Sequence, residues 1–376
     1  MIIQGSPRTG NPFSPAFGAS PYVLAGRDDA LLDVRDGLLE GIGSPYRVNT
    51  FVGPRGSGKT VLLDAAAHTA NELGWVVVDV SASPEMNEEV VDLALARTEH
   101  LVETSTMRLP PQNPIRSGQE PGWRVQMERI LTVIEQYRSG ILFTIDEVSD
   151  AHEALQTFCK RYQHFVRDGR NVALCLAGLP LNVEAFESLP DTSFVRRATR
   201  HQLDNISTTA VREALRVTLV SSGKHIDSDA VRKAAEATQG YPFLIQLIGY
   251  YTWRAASDRR ITIADVDRGI EEARQHITES LHTSSMTDLS SQDKAFLVAM
   301  SSDIGPSKMA DICTRLGWTA PYAGAYRTRL INAGMIWPAG HGLVEFAFPY
   351  LGDFVRENAH SLATPRSIVI RRLTRP

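Results

Sequence analysis

Gly53-Pro-Arg-Gly-Ser-Gly-Lys-Thr60 decides the fold of this 376-residue chain. It fits G-x-x-x-x-G-K-[ST], a loop whose glycines let backbone N–H groups wrap a triphosphate. Arg47-Val-Asn-Thr-Phe-Val52 before it reads as a short strand, and Val61 to Glu72 after it as a helix. That strand–loop–helix order is the setting the motif needs, because the helix N-terminus adds unpaired donors and a favourable dipole. Lys59 is expected to reach the β- and γ-phosphates. The Thr60 hydroxyl is expected to hold Mg²⁺.

Working outward, Gly140-Ile-Leu-Phe-Thr-Ile-Asp-Glu147 is an apolar run ending in two acids. A run of this kind suits a strand buried on both faces of a parallel sheet. Ligands gather at the carboxyl ends of such strands. Asp146 is therefore placed beside the phosphates as a Mg²⁺ ligand, direct or through water. Glu147 is a candidate general base for the attacking water.

Bulk properties bound the reading. The length suggests two or three domains, and 43% hydrophobic residues can fill their cores. No apolar stretch approaches the ~18 residues that span a membrane. The opening Met1-Ile-Ile-Gln-Gly-Ser-Pro lacks a basic region followed by an apolar one, so no secretory signal is read. Cys159, Cys175 and Cys313 are far apart without metal-ligand spacing and read as reduced, structural thiols. Together these point to a cytoplasmic chain. His152-Glu-Ala-Leu-Gln156 fails the zinc-protease pattern at its last position. The net charge of −4 excludes a protein that coats nucleic acid with its whole surface. From Leu289 onward the balance is +4, and Arg366 to Pro376 carries four arginines and no acid. A basic end on an acidic body points weakly to a polyanion.

Residues 1–22 are rich in Pro, Gly and Ser and read as an extended lead-in, with Phe13, Phe17 and Tyr22 able to pin it down. From 23 to 205 strands and helices alternate: Asp28–Leu39 helix, Trp75–Val80 strand, Pro84–Val102 helix, 123–138 helix, then the acidic strand. Val148–Asp168 reads as helix, with strands at Asn171–Ala177 and Ala198–Leu203. Such alternation predicts an α/β parallel sheet with helices on both faces. Residues 106–122 are expected as a long irregular loop. After Asn205 the strands are expected to stop. Thr208–Val220, Asp227–Thr238, Pro242–Ala256 and Ile263–Leu281 read as a small helical lid domain, 206–287. Ser207 is the expected N-cap of the first, and Asp227 or Ser228 of the second. Residues 288–360 offer three short helices and a hairpin, the plan of a winged helix-turn-helix. Gly317 would end its second helix. Tyr322, Tyr326, Arg327 and Arg329 would lie on the third. Residues 361–376 form a basic tail.

These motifs resemble those of the AAA+ ATPases, and the chain looks closest to the branch spanning origin-recognition initiator ATPases and STAND NTPases. The resemblance covers residues ~20 to 358. Tyr22-Val-Leu-Ala-Gly-Arg-Asp28 is similar to the G-R-[DE] box that shelters adenine, which implies Val23 and Leu24 as adenine contacts. Gly53, Pro54, Arg55, Gly56, Ser57, Gly58, Lys59 and Thr60 match Walker A, with Val61 following. Ile141–Glu147 matches Walker B. Gly240-Tyr-Pro242 is similar to the G-x-P motif of STAND proteins, which implies a nucleotide-proximal backbone at Tyr241 and Pro242. It also reads as a plain helix break, a C-cap Gly followed by Pro at N1. Two features depart from the initiator pattern. Leu176-Ala-Gly-Leu-Pro180 has no polar sensor at the end of the fourth strand, and Tyr241-Pro242 stands where a sensor arginine is usual. The resemblance implies Arg196 or Arg197 as a finger reaching into a neighbour's site. A pair of surface arginines flanking a strand is the other reading.

The expected function is an ATP- and Mg²⁺-dependent AAA+ NTPase whose nucleotide state drives a conformational or assembly switch. Hydrolysis is expected to be slow or partner-stimulated. Two outputs are open. In one, duplex DNA meets the winged helix through Tyr326, Arg327 and Arg329. In the other, a STAND-like signalling switch uses its winged helix only as a packing or protein-contact module. A protein partner or a homo-oligomer is then expected. A nucleotide-binding module without hydrolysis is the third reading.

Overall fold

The computed structural model describes residues 2–3, 10–16, 18–104, 122–149, 153–279, 286–287 and 289–362. The expected loop at 106–122 (save Gly122), the tail at 366–376, and Phe17 lie outside them. The chain forms two units. One takes Met1–Ser6 and Ala16–Asp204, and the other Pro7–Pro15 and Asn205–Pro376.

The first unit is built on a parallel sheet. After short strands β1 (Ile2–Ile3) and β2 (Val23–Leu24) come helix α1 (Asp28–Glu40), strand β3 (Val48–Val52) and helix α2 (Lys59–Glu72). Strand β4 (Val76–Ser81) leads to helices α3 (Met86–Thr104) and α4 (Trp123–Gln136). Then follow β5 (Ile141–Val148), α5 (Glu153–Arg167), β6 (Val172–Gly178), α6 (Pro180–Glu187), a 3-10 segment (Pro190–Arg197) and β7 (Thr199–Gln202). The five strands lie in the order β4-β5-β6-β3-β7 and every pairing is parallel. All seven residues of β6 are buried, so its apolar run faces protein on both sides. Phe143, Phe158, Tyr162 and Phe165 centre the core under α3, α4 and α5. Phe51, Leu62, Ala66 and Leu142 centre the core under α1 and α2.

Several elements of this unit have no counterpart in the sequence reading. Residues 1–22 were expected to be irregular, yet Ile2–Ile3 pairs antiparallel with Val23–Leu24. Helix α6 and the 3-10 segment fill the connection from β6 to β7. Each starts with Pro at its first position, where the missing N–H costs nothing. Val183 and Phe186 bury this connection against the sheet.

The second unit is mainly helical. Helices α7 (Thr208–Ser221), α8 (Ser228–Ala237), α9 (Pro242–Ala255) and α10 (Ile263–Ile277) come first. Ser207 caps α7 by accepting from the Ala210 N–H at 3.3 Å. Asp227 precedes α8 but its carboxylate is taken by Arg260 at 2.9 Å. The expectation that strands end at Asn205 is corrected: β8 (His225–Ile226) and β9 (Arg260–Ile261) pair in parallel. A two-residue ladder is too short to leave any periodicity in sequence. The lead-in joins this unit. Phe13 is buried against Gly249 of α9, where a Cβ would run into its ring. Asn11 donates to the Tyr250 carbonyl at 3.0 Å, and the Ser14 N–H donates to Gln246 Oε1 at 3.1 Å.

Further along are α11 (Ser291–Met300), β10 (Ser307–Lys308), α12 (Met309–Leu316), α13 (Ala320–Asn332), β11 (Ile336–Gly340), β12 (Leu343–Phe346) and α14 (Leu351–Glu357). The three strands form an antiparallel sheet in the order β10-β12-β11. Gly317 ends α12 in the left-handed region at φ 67°, a conformation costly to any residue with a Cβ. Ser290 and Asp293 form a reciprocal capping box at the start of α11.

Candidate functional site

The site lies at the carboxyl end of the parallel sheet, where β3 and β5 end on either side of β6. Gly53 leaves β3 with its N–H toward the Gly178 carbonyl at 3.4 Å. A Cβ at Gly53 would lie 2.5 Å from Ser57 Oγ and 2.9 Å from Leu203 Cβ, so only glycine fits. Gly56 and Gly58 take φ 73° and 88°, which turns the loop into the first turn of α2. Lys59 and Thr60 open that helix.

Lys59 Nζ folds back and donates to the Gly53 and Pro54 carbonyls at 3.0 and 2.8 Å. Burial pushes its ammonium down to about 8, opposed by the nearby Asp146 carboxylate. Thr60 Oγ1 donates to Asp146 Oδ2 at 2.5 Å, joining the two motifs across 86 residues of chain. Asp146 Oδ1 accepts the Glu147 N–H at 2.8 Å. Ser57 is buried and its hydroxyl has no hydrogen-bond partner. Two backbone carbonyls on the lysine, an idle buried hydroxyl and a Thr–Asp pair suit a bound triphosphate with its cation. Thr60 and Asp146 are the residues that could supply oxygen donors to Mg²⁺.

Glu147 carries the clearest backbone signal. Its φ is 60°, in the left-handed region, and the β5–β6 register shifts between Ile145 and Val148. Such a bulge re-aims a side chain at a strand end, and strain of this kind gathers at working sites. The Glu147 side chain is exposed while Val148 is buried. Beside the bulge there is no room for a side chain at Gly178. A Cβ there would sit 3.1 Å from Val148 Cβ and 2.8 Å from Val183 Cγ2.

Sequence reasoning gave no role to Arg27. Its guanidinium donates to the Ser57 carbonyl at 3.3 Å and to the Asp204 carbonyl at 2.7 Å, tying the phosphate loop to the end of the sheet. Burial lowers its pKa. Only its place in the Gly26-Arg27-Asp28 box hinted at this. Asp64 was also missed. One turn beyond Thr60, its carboxyl is held above the ordinary range by burial and by Asp79 and Asp146.

The remaining predicted residues are placed as follows. Val23 and Leu24 form β2 and are buried, Leu24 within the α1–α2 core. Arg55 is exposed on the loop, and Val61 packs partly buried on α2. Arg196 and Arg197 are exposed at the start of β7, at the end of the sheet opposite the phosphate loop. Within one chain they do not meet it. Arg196 Nε donates to the Glu187 carbonyl at 2.8 Å. Tyr241 and Pro242 belong to the second unit. Tyr241 is buried with its ring edge-on to Phe348 at 6.4 Å, and Pro242 begins α9. On α13, Tyr326 lies 5.1 Å from Trp318 and 5.0 Å from Tyr322, ring to ring. Arg329 pairs with the buried Asp293 at 2.8 Å. Arg327 is half-buried.

Among the described residues, no helix is long and apolar enough to cross a membrane. Residues 279–355 match a domain of unknown function, DUF8462. None of the curated proteins matches this chain. Among solved structures it is similar to the Walker-type ATPase PABY2304 of Pyrococcus abyssi. Identity is 14%, over 89% of this chain and 96% of that one, with a TM-score of 0.65. It is also similar to the ORC2 protein of Aeropyrum pernix in its ADP form. Identity there is 13%, over 93% of this chain and 96% of that one, with a TM-score of 0.52. The order of the sheet, the loop after its β3 strand and these likenesses agree: the chain has the fold of the P-loop AAA+ NTPases.

Proposed function

We propose that this chain binds ATP with Mg²⁺ at the Gly53–Thr60 loop and hydrolyses it slowly, as the step that resets a conformational or assembly switch. The observation that carries the reading is the Thr60–Asp146 hydrogen bond at 2.5 Å beside Lys59, which converges three different chemistries on one loop. The loop amides and Lys59 bind and orient the phosphates. In doing so Lys59 exchanges two carbonyl acceptors for anionic ones. Mg²⁺, held by Thr60 and Asp146, neutralises charge on the phosphate oxygens when bound. Glu147 accepts a proton from the attacking water. With Gly178 in place of a polar sensor, phosphate sensing falls to the backbone and turnover is slow. Arg196 and Arg197 are proposed to act in a neighbouring copy, since they stand before the start of β7, at the end of the sheet away from the phosphate loop.

We propose that residues 288–360, with their short helices and three-stranded antiparallel sheet, act as a winged helix and deliver the output. Two observations on α13 separate the partners. Arg327 and the local +4 balance favour duplex DNA. The tie of Arg329 to Asp293 and the aromatic stripe Trp318–Tyr322–Tyr326 favour a protein surface, whose hot spots are rich in Tyr and Trp. We favour the protein. The test is ATP turnover by the purified chain, with and without duplex DNA, alongside Lys59→Ala. Turnover lost in Lys59→Ala supports the ATPase. Turnover unaffected by Lys59→Ala overturns it. Stimulation by duplex DNA would restore the DNA reading.

A further inference from the structure

At the end of the sheet opposite the phosphate loop, the amino ends of β3, β6 and β7 border a half-open pocket of ≈ 240 Å³. Its wall joins apolar and cationic groups. Val166 and Phe194 stand on the apolar side, and Arg47, Arg170 and Arg197 on the polar side, with Tyr162 between them. Phe194 stacks on the Tyr162 ring at 5.8 Å and 21°.

The charges do not balance. Arg170 is neutralised by Glu128 and Glu135 at 3.4 and 3.0 Å. Arg47 is buried, yet its guanidinium donates only to the Gly41 and Val172 carbonyls and to Asn171 Oδ1, and stacks over Trp75 at 4.8 Å. No carboxylate pairs with it among the described residues. Arg197 has neither a hydrogen bond nor an ion pair with any described residue. A buried cation that lacks a counter-ion is costly, and proteins rarely keep one without use.

Tyr162 supplies an independent sign. It is fully buried, and its hydroxyl has no hydrogen-bond partner. Native interiors seldom leave such a group unpaired, and each exception asks for a reason. A buried hydroxyl without a partner and a buried guanidinium without a counter-ion, with the exposed Arg197 at the rim, suit the same thing, an acceptor with negative charge. Phe194 and Val166 require an apolar body behind it. The volume lies below the ~300–1,000 Å³ of drug-sized ligand sites, so the ligand is small.

We propose that this cavity binds a small organic anion, an aromatic carboxylate or phosphate monoester. Its charged group faces Arg47, Arg197 and the Tyr162 hydroxyl. Its ring lies against Phe194. A planar guanidinium fork meets either anion with paired hydrogen bonds. The site is separate from the phosphate loop, and its occupancy does not depend on ATP chemistry.

The test is calorimetric titration of the nucleotide-free full chain with benzoate, phenyl phosphate and neutral benzyl alcohol. At least one anion is expected to saturate at one per chain, with benzyl alcohol about tenfold weaker or more. The tighter anion identifies the head group. Arg197→Ala is expected to weaken it by roughly 10-fold or more, the scale of a charged hydrogen bond. Tyr162→Phe is expected to weaken it about 5- to 10-fold while leaving the melting temperature unchanged or raised, because an unpaired hydroxyl is removed. Absence of saturable binding by both anions overturns the proposal. So does equal binding of benzyl alcohol, or anion binding unaffected by both variants. A melting temperature lowered by several degrees in Tyr162→Phe would show the hydroxyl already satisfied and would remove that ground of the argument.

Discussion

The phosphate loop and helix α13 were both read as candidate sites from residue types, but the structure treats them differently. At Gly53–Thr60 the backbone itself is specified: two glycines in the left-handed region and a third with no room for a Cβ. Lys59 there has only carbonyl partners, which a phosphate readily displaces. On α13 the arginines were counted as free charge. Arg329 is instead a structural counter-ion, fixed to a carboxylate that also caps α11. A motif that constrains backbone geometry carries its function into three dimensions, whereas a charge count does not say whether the charge is already spoken for.

The contrast is broken first at Glu147. Glu147→Gln should retain nucleotide binding and lower turnover by ~10²–10⁴, read by steady-state ATPase assay and equilibrium binding. Equal turnover in variant and wild type would remove Glu147 from its role. Next, Gly53→Ala should destabilise the first unit by about 1–3 kcal/mol, because the added methyl overlaps Ser57 and Leu203. Nucleotide affinity should fall with it. A variant of unchanged melting temperature that binds normally would show that the loop is not sterically fixed.

Legibility followed the same division. Strands β3, β5 and β6 and helices α2, α7 and α9 could be read because each has enough residues to show a period or an apolar run. The Thr60–Asp146 meeting was legible because each motif implies the other. Arg27 was not, since its acceptors are main-chain carbonyls 30 and 177 residues away. The bulge at Glu147 was not legible either: it is a register shift between Ile145 and Val148, set by pairing with a strand distant in sequence. Helix α6 and the 3-10 segment were given no element in the sequence reading; each begins at a proline, Pro180 and Pro190, which serves as a helix starter.

A third expectation sharpens the α13 side. Arg329→Ala should lower stability by about 1–3 kcal/mol, the cost of leaving a buried carboxylate short of a partner. Asp293 Oδ1 already has none. Should duplex DNA bind at all, this variant should leave the log–log salt slope of binding unaltered. Arg327→Ala should flatten it by about one unit. A slope changed equally by both would return Arg329 to the phosphate contacts.

The smallest effect concerns His201 in β7. It lies 3.0 Å from Asn49 Oδ1 and 3.8 Å from Asp33, and burial lowers its pKa despite that carboxylate. The folded chain therefore binds this proton less readily than the unfolded chain. Its stabilising share is present above the ordinary histidine value of about 6.5 and is lost as pH falls through and below it. Melting temperatures at pH 7.5 and 5.5 should differ less in His201→Gln than in wild type. An identical difference would assign the pH dependence to other groups.

The clasp of Asn11, Phe13 and Ser14 on α9 has a consequence for how the protein is made. These residues leave the ribosome well before their partners Gln246, Gly249 and Tyr250, which follow more than 230 residues later. At ~5–20 residues per second, Phe13 waits roughly 10 to 50 seconds for its seat. The parallel sheet can be completed in that interval, before the helical unit closes over its aromatic side chain. A fragment starting at Asn205 would be missing a piece of its own interior, so the second unit is best expressed with residues 10–16 restored to it.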